Sequence, residues 1–407
     1  MADDIGLVKE VDCKSSESRY VWNETGADMS TTRLCWVNAS SSLLAVSRTS
    51  GAIDIFECSP DSNRWCRKSS VDVEGDILDM TAHDGVVLVL TDEALFSIEV
   101  EGSTVRIEST RTLPQGPYSV ARFSHHSSTL PTANLPTRIL TARDDACPVV
   151  IGIENMDIVW VGKNAPNTTL GLTAVFRTSC LLALTETVFA AGDETGKLRL
   201  YDTSAQRKPI VEFPIFDAFT LTNNYTGTSG MGQVRPIKAM AFSADRLFVG
   251  DTFGTVLALD MKSALAKSPL VSPEAKIGTA AHKDFCRKLI PMGFALKNIM
   301  GSVRDIALTK EYAFVVSAGR FAYEFDLASK GKKCSKMFLK QKLTCCLPVV
   351  GETAAEPQAF PAEDESEADL EAVDASAEAM LEKLNDEGPE MPMSKSKRRR
   401  IRKGSSK

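Results

Sequence analysis

The sequence has four histidines in 407 residues, no C-x-x-C pair among its ten cysteines, and no apolar run long enough to span a bilayer. Each absence removes a class of function. His83, His125, His126 and His282 lack the H-E-x-x-H spacing of a zinc hydrolase. Cys345 and Cys346 are adjacent and would point to opposite faces of a strand, a poor geometry for sharing one metal. The cysteines therefore read as buried free thiols. Gly227-Thr-Ser-Gly230-Met-Gly232 is rich in glycine, but no Lys-Ser/Thr follows, so it is not a phosphate-cradling loop. Asp144-Asp145 suits a β-turn. No catalytic constellation, cofactor site or metal site emerges, and the chain is expected not to be an enzyme. The opening Met1-Ala2-Asp3-Asp4 is acidic and has no apolar h-region, which points to the cytosol or nucleus rather than the secretory route or a membrane.

What the sequence does have is repetition. Residues 33–350 read as short strands separated by turn signals, with helical periodicity confined to one insertion. One unit recurs: a β-rich strand, a turn containing Gly or Asp, then a strand of alternating apolar positions ending in an acid. Leu43–Val46 is followed by Gly51–Glu57, Val188–Asp193 by Gly196–Asp202, Leu247–Asp251 by Gly254–Asp260, and Phe314–Ser317 by Phe321–Asp326. Val86–Leu90 with Ala94–Glu99 is a weaker copy. The acidic ends at 57 and 99 stand 42 residues apart, the length of one four-stranded propeller blade. The interval from 99 to 202 holds two blades, the first around Arg138–Ile153. Insertions at 214–236 and 264–300 account for the wider later spacing. The expected fold is all-β: a WD-repeat-type β-propeller of seven blades over residues 1–350. The seventh combines Lys342–Val350 with an N-terminal strand near Tyr20–Trp22, which supplies pairing for an otherwise exposed edge. The repeats are degenerate, with neither a Gly-His nor a Trp-Asp dipeptide.

Residues 351–407 change character. They carry 14 acidic and 9 basic side chains, against 39 and 38 in the body. The stretch 352–393 is too polar to bury a core and is expected to be disordered. Within it Leu370, Val373, Ala377, Met380 and Leu384 would share one helical face, and Ser366 with Asp369 resembles a capping box. The cluster Lys395, Lys397, Arg398, Arg399, Arg400, Arg402 and Lys403 suits nuclear import first and RNA contact second. Two further basic stretches stand out. Lys276, His282, Lys283, Arg287, Lys288, Lys297 and Arg304 lie among Phe285, Leu289, Ile290, Phe294, Leu296 and Ile299, and six lysines fall within 330–342. Cations beside aromatics suit RNA or an acidic partner, while apolar residues suit anchoring of a surface loop.

Several segments carry a family resemblance. Lys163-Asn164-Ala-Pro-Asn167 with Leu170-Gly-Leu172 resembles the lead into the central blade of the WD repeat-containing protein 74 family. The run Lys197–Ile210, above all Gln206-Arg207-Lys208-Pro209, is similar to that family's R-V-Y-D … Q-R-R-P-V pattern. Gly301–Arg304, Phe338–Cys345 and the order of propeller, acidic stretch and basic tail also look like the family. The insertions and the early blades depart from it. The resemblance implies a nucleolar scaffold of large (60S) ribosomal subunit assembly that contacts rRNA and other assembly factors. It would act as a monomer within a large particle and be released by an AAA-type ATPase. It also implies surface contacts at Arg199, Gln206, Arg207, Lys208 and Arg304. A nuclear WD-repeat adaptor or ubiquitin-ligase substrate receptor would use the same scaffold and tail.

Overall fold

The computed structural model describes residues 1–349 apart from 60, 61, 63, 103, 125–134, 145, 164–176, 217–233, 268, 271–275 and 278. The tail, His125-His126, Asp145, the glycine-rich run 227–232 and 164–172, for which the sequence raised expectations, lie outside the described residues. Met1–Gly351 make one compact unit of seven four-stranded antiparallel sheets. Blade 1 comprises Thr31–Trp36, Leu43–Arg48, Ala52–Cys58 and Trp65–Asp72, from the innermost strand outward. Blade 2 comprises Ile77–His83, Val86–Thr91, Ala94–Glu101 and Thr104–Thr112. Blade 3 comprises Val120–Phe123, Arg138–Ala142, Val149–Gly152 and Asp157–Val161. Blade 4 runs through Thr178–Ala183, Val188–Asp193, Lys197–Asp202 and Val211–Pro214. Blade 5 runs through Ile237–Ser243, Arg246–Asp251, Val256–Asp260 and Met292–Leu296. Blade 6 is formed by Val303–Leu308, Tyr312–Ser317, Phe321–Asp326 and Cys334–Phe338. The innermost strands contact one another in sequence around a closed ring.

Blade 7 closes that ring. Its innermost strand is Leu343–Cys345, and its other three are Ala2–Asp3, Val8–Asp12 and Glu17–Trp22. Ala2 pairs with Cys345 and Asp3 with Leu343. The start of the chain thus supplies three strands rather than the single one expected. A two-residue strand carries too little pattern to be read.

The seven clusters of buried apolar side chains each fill the space between two neighbouring blades. Phe56, Trp36 and Val8 meet between blades 7 and 1, and Phe189, Tyr201 and Leu140 between blades 3 and 4. Both faces of the middle strands are therefore buried. Runs such as Val188-Phe189-Ala190-Ala191 and Leu247-Phe248-Val249 stay apolar without alternation because no face meets water.

Residues 261–291, which take in most of the 264–300 insertion, join the third and outermost strands of blade 5 and include two helices, α1 (Lys262–Leu265) and α2 (Ala280–Leu289). Met292–Leu296, assigned to the insertion from sequence, is the outermost strand of the blade. Thr279 caps α2 by accepting a hydrogen bond from the His282 amide at 3.2 Å. His282, Cys286 and Leu289 recur on one face of α2 and are buried, with Cys286 and Leu289 in the cluster between blades 4 and 5, while Lys283, Arg287 and Lys288 face water. Leu270 adds a second anchor, its amide donating to Asp202 at 2.7 Å.

Candidate interaction face

Two kinds of connection meet at one end of the ring, here the upper end: turns from second to third strands, and links from one blade's outermost strand to the next blade's innermost. The last residue of the second strand is buried in every blade: Asp3, Arg48, Thr91, Ala142, Asp193, Asp251 and Ser317. Three of these aspartates organise their turns alike. An Asp3 carboxylate oxygen accepts from the Ile5 and Leu7 amides, Asp193 from Thr195 and Lys197, and Asp251 from Phe253 and Thr255. The turns then lie against the neighbouring link. Gly196 and Gly254 have φ of +81° and +79°, and a Cβ on Gly196 would sit 2.6 Å from the Arg235 carbonyl oxygen. At Gly254 the obstacle would be the Ile299 carbonyl oxygen. Glycine meets both demands, left-handed backbone and close approach.

These fixed turns display a divided charge. Lys238, Lys297, Arg304, Arg320, Lys340 and Lys342 are exposed on the upper turns and strand starts of blades 5 and 6 and the link into blade 7. No side-chain partner of theirs occurs among the described residues, and no exposed acid interrupts them there. Across the ring, Glu24, Asp28, Glu74, Asp76 and Glu93 are exposed on the turns and links that run from blade 7 to blade 2. Between the two sectors Arg177 bridges Asp144 at 3.0 Å and Glu194 at 3.5 Å. Val234, Phe253 and Met300 expose apolar surface inside the basic sector. Arg235 supports Phe253: its guanidinium lies 5.6 Å from that ring and 4.9 Å from Phe216, held by Asp251 at 2.5 Å and Thr255 at 2.6 Å. Burial raises the Asp251 pKa despite the Thr255 amide and Arg235 beside it.

The central channel encloses about 130 Å³ and is lined by Arg33, Asp79, Arg122 and Asp305 with apolar neighbours. Arg122 donates to Asp79 at 2.7 Å, and Arg33 stands 3.7 Å from the same carboxylate. Burial and the nearby Arg122 cation lower the Arg33 pKa. Burial opposes the Arg122 cation as well, but Asp79 and Asp305 outweigh it and raise its pKa. Asp305 accepts the Ile306 and Cys346 amides at 2.9 and 3.0 Å. These charges compensate one another and pin innermost strands together. Among the described residues no group of three or more His, Cys, Asp or Glu side chains could hold a metal ion.

The five contact residues expected from sequence fall in three places. Arg304 belongs to the basic sector. Arg207 and Lys208 are exposed at the opposite, lower end, with Gln206 half-buried beside them. Arg207 donates to the Val161 carbonyl at 2.6 Å, and its own carbonyl accepts from Lys163. Arg199, expected as a surface contact, is instead buried. It is 3% exposed and pairs with Asp193 at 3.0 Å and Glu212 at 3.2 Å, linking three strands of blade 4 rather than meeting a partner. Burial disfavours its cation, but Glu212 and Asp193 prevail and raise its pKa. Lys297 stood in one of the basic stretches read from sequence, but Lys238, Phe253, Met300 and Arg320 were missed. Their one signal was position, within a few residues of the Gly and Asp turn marks.

No helix among the described residues is long and apolar enough to cross a membrane. No protein-family model matches the chain, and no curated protein is similar to it at a significant level. Solved structures do match. Saccharomyces cerevisiae Sqt1 superposes with a TM-score of 0.52 at 14% identity, covering 87% of this chain and 89% of that one. The β-propeller domain of Myceliophteria thermophila Cps50 (Swd1) superposes at 0.50 with 13% identity, covering 73% and 83%. At such identities the likeness establishes architecture alone, and 1536 solved chains share it. Residues Met1–Gly351 fold as a seven-bladed β-propeller.

Proposed function

We propose that this protein is a non-enzymatic scaffold in assembly of the large (60S) ribosomal subunit, binding pre-ribosomal particles in the nucleolus. The observation that carries this reading is the row of six exposed cations on the upper end, without a side-chain partner among the described residues and set around exposed Phe253 and Met300. Such a face suits phosphate backbone and protein together, as a nucleoprotein particle presents them. Arg207, Lys208 and the exposed Lys283, Arg287 and Lys288 of α2 give the lower end its own basic surface, so two components can be held at once. The segments resembling the WD repeat-containing protein 74 family support the same task. Assembly factors and rRNA are then the partners, and an AAA-type ATPase releases the scaffold. The cluster Lys395–Lys403 would direct the chain to the nucleus.

A nuclear adaptor or ubiquitin-ligase substrate receptor is the second reading. The apolar trio Val234, Phe253 and Met300 favours it, being suited to a protein partner. Sedimentation separates the two. An affinity tag placed within 352–393 leaves both the ring closure and the basic cluster intact. Nuclear extract is run on a sucrose gradient with and without RNase, and RNA in the tagged fractions is sequenced. RNase-sensitive co-migration with precursors carrying unprocessed spacer RNA is the expected result. Migration as free protein or as a small RNase-resistant complex overturns the assembly reading in favour of the adaptor.

A further inference from the structure

Blade 6 carries a row of aromatic rings along its third strand. Phe325 and Tyr323 are buried with centroids 5.9 Å apart, and Phe321 follows 6.0 Å from Tyr323 toward the upper end. Phe321 pairs in register with Phe338 on the outermost strand, their rings 5.1 Å apart. The row thus ends on a ring that is 51% exposed. The buried members fill the contact with blade 5. Phe338 adds little to that core.

Cations surround this ring. Lys336 shares its side of the strand and lies 5.5 Å from the Phe321 ring. Arg320 precedes Phe321, and its carbonyl accepts from the Leu339 amide at 2.9 Å. Lys340 and Lys342 follow. The link of blade 5 abuts the same edge: Met300 donates its amide to the Tyr323 hydroxyl at 2.8 Å, with Lys297 three residues away. No carboxylate shares this side of the two outer strands. Glu324 faces the other way, where it pairs with Lys14 at 3.6 Å.

We propose that Arg320, Phe321, Lys336, Phe338, Lys340 and Lys342 form a binding strip for single-stranded RNA, with a base stacked on Phe338 and phosphates held by the cations. The inference deepens the preceding one, since it names where rRNA would be met and in what form. A flat ring backed by a second ring offers a face to any base. Alternate residues on the strand are about 6.7 Å apart, a reach on the order of one extended nucleotide. An acidic peptide with apolar anchors would instead need a concave pocket, and Phe338 stands on the outermost strand. A duplex would hide its base faces from the ring.

The test uses the full chain with Lys395, Lys397, Arg398, Arg399, Arg400, Arg402 and Lys403 all changed to Gln, so that tail cations do not mask the strip. Fluorescence anisotropy is measured with a labelled 12-nucleotide single strand, with its duplex, and with a Glu/Leu-rich peptide. Phe338→Ala should weaken single-strand binding about tenfold, and Phe338→Trp should restore it. Lys336→Gln and Lys340→Gln should each reduce the slope of log K against log salt by about 0.7. Phe338 is half exposed, so an unchanged melting curve is expected for each variant. Equal single-strand affinity of the Ala and parent chains overturns the proposal. Duplex binding as tight as single-strand binding does so as well, and loss confined to the peptide reassigns the strip to a protein. Gradients run on the same variants keep the two inferences apart. Lost RNA affinity with retained co-sedimentation upholds the strip and places particle docking elsewhere. Retained, Phe338-dependent RNA affinity without co-sedimentation upholds the strip and removes the assembly role.

Discussion

The turns from second to third strands and those from third to outermost strands use the same chemistry with opposite tolerance. Each set includes turns organised by an aspartate that ends a strand and accepts amides a few residues on. In the first set the aspartates Asp3, Asp193 and Asp251 are buried, and the turns stay short because a neighbouring link lies against them. In the second set Asp12, Asp202, Asp260 and Asp326 cap their turns through the Lys14, Ser204, Lys262 and Ala328 amides. Those turns lie at the lower rim, and one of them holds the whole of 261–291 with α1 and α2. A capped turn admits insertion where its far side meets water and refuses it where its far side meets backbone. The second-to-third turns can therefore change chemistry by single residues, and the third-to-outermost turns by whole segments.

Substitutions can sharpen that contrast. The largest effect is expected from Asp193→Ala, which removes the turn acceptor and leaves Arg199 buried with Glu212 alone. A loss of about 3–5 kcal/mol in urea unfolding is expected. A loss under 1 kcal/mol would mean that the buried turn matters no more than an exposed one. Gly254→Ala comes next, at about 2 kcal/mol, because the new Cβ meets the Ile299 carbonyl in a left-handed turn. The same change at Gly102, where a Cβ meets nothing within 4 Å, should cost less.

The third prediction concerns pH and the lower insertion. Burial lowers the pKa of His282 from its ordinary 6.5, against a smaller pull from Glu212. The unfolded chain then takes up the proton more readily than the native one. Stability is full above about 6.5 and is lost as pH falls below that value, by at most about 1.4 kcal/mol per pH unit. Unfolding midpoints at pH 7 and 5.5 should separate more for the parent than for His282→Leu, and equal separations would refute a buried neutral imidazole. Smallest is Asp326→Ala, at about 1 kcal/mol, since water replaces the lost acceptor. If it matched Asp193→Ala, the distinction between the two sets of turns would fail.

The repeat was legible through the acids at or near the ends of the third strands. Glu57, Glu99, Asp202, Asp260 and Asp326 all lie on third strands, and their spacing gave the blade count. Asp12 has the same place but lies before the first recognisable unit. Blade 3 was faint because its second and third strands end in Ala142 and Gly152, which cap nothing. Arg199 was misplaced for a physical reason. In Lys197-Leu-Arg199-Leu-Tyr201, alternation suggests one wet face, but neighbouring blades cover both. Arg304 was legible as a cation at a strand start. Lys297 and Lys340 stood out in separate basic stretches, but their meeting with Lys238 and Arg320 was not legible, because the ring brings these residues to one side, not proximity in sequence.

The pairing of Ala2 with Cys345 also sets a timetable. At 5–20 residues per second, roughly 20–70 s pass between synthesis of one partner and arrival of the other. Throughout that wait the early blades stand with an unpaired edge and a half-covered apolar cluster. Val8, Trp36 and Phe56 lie in the interface that is completed last. A nascent chain built this way is open to aggregation over that interval, and slowing elongation should lengthen the exposure.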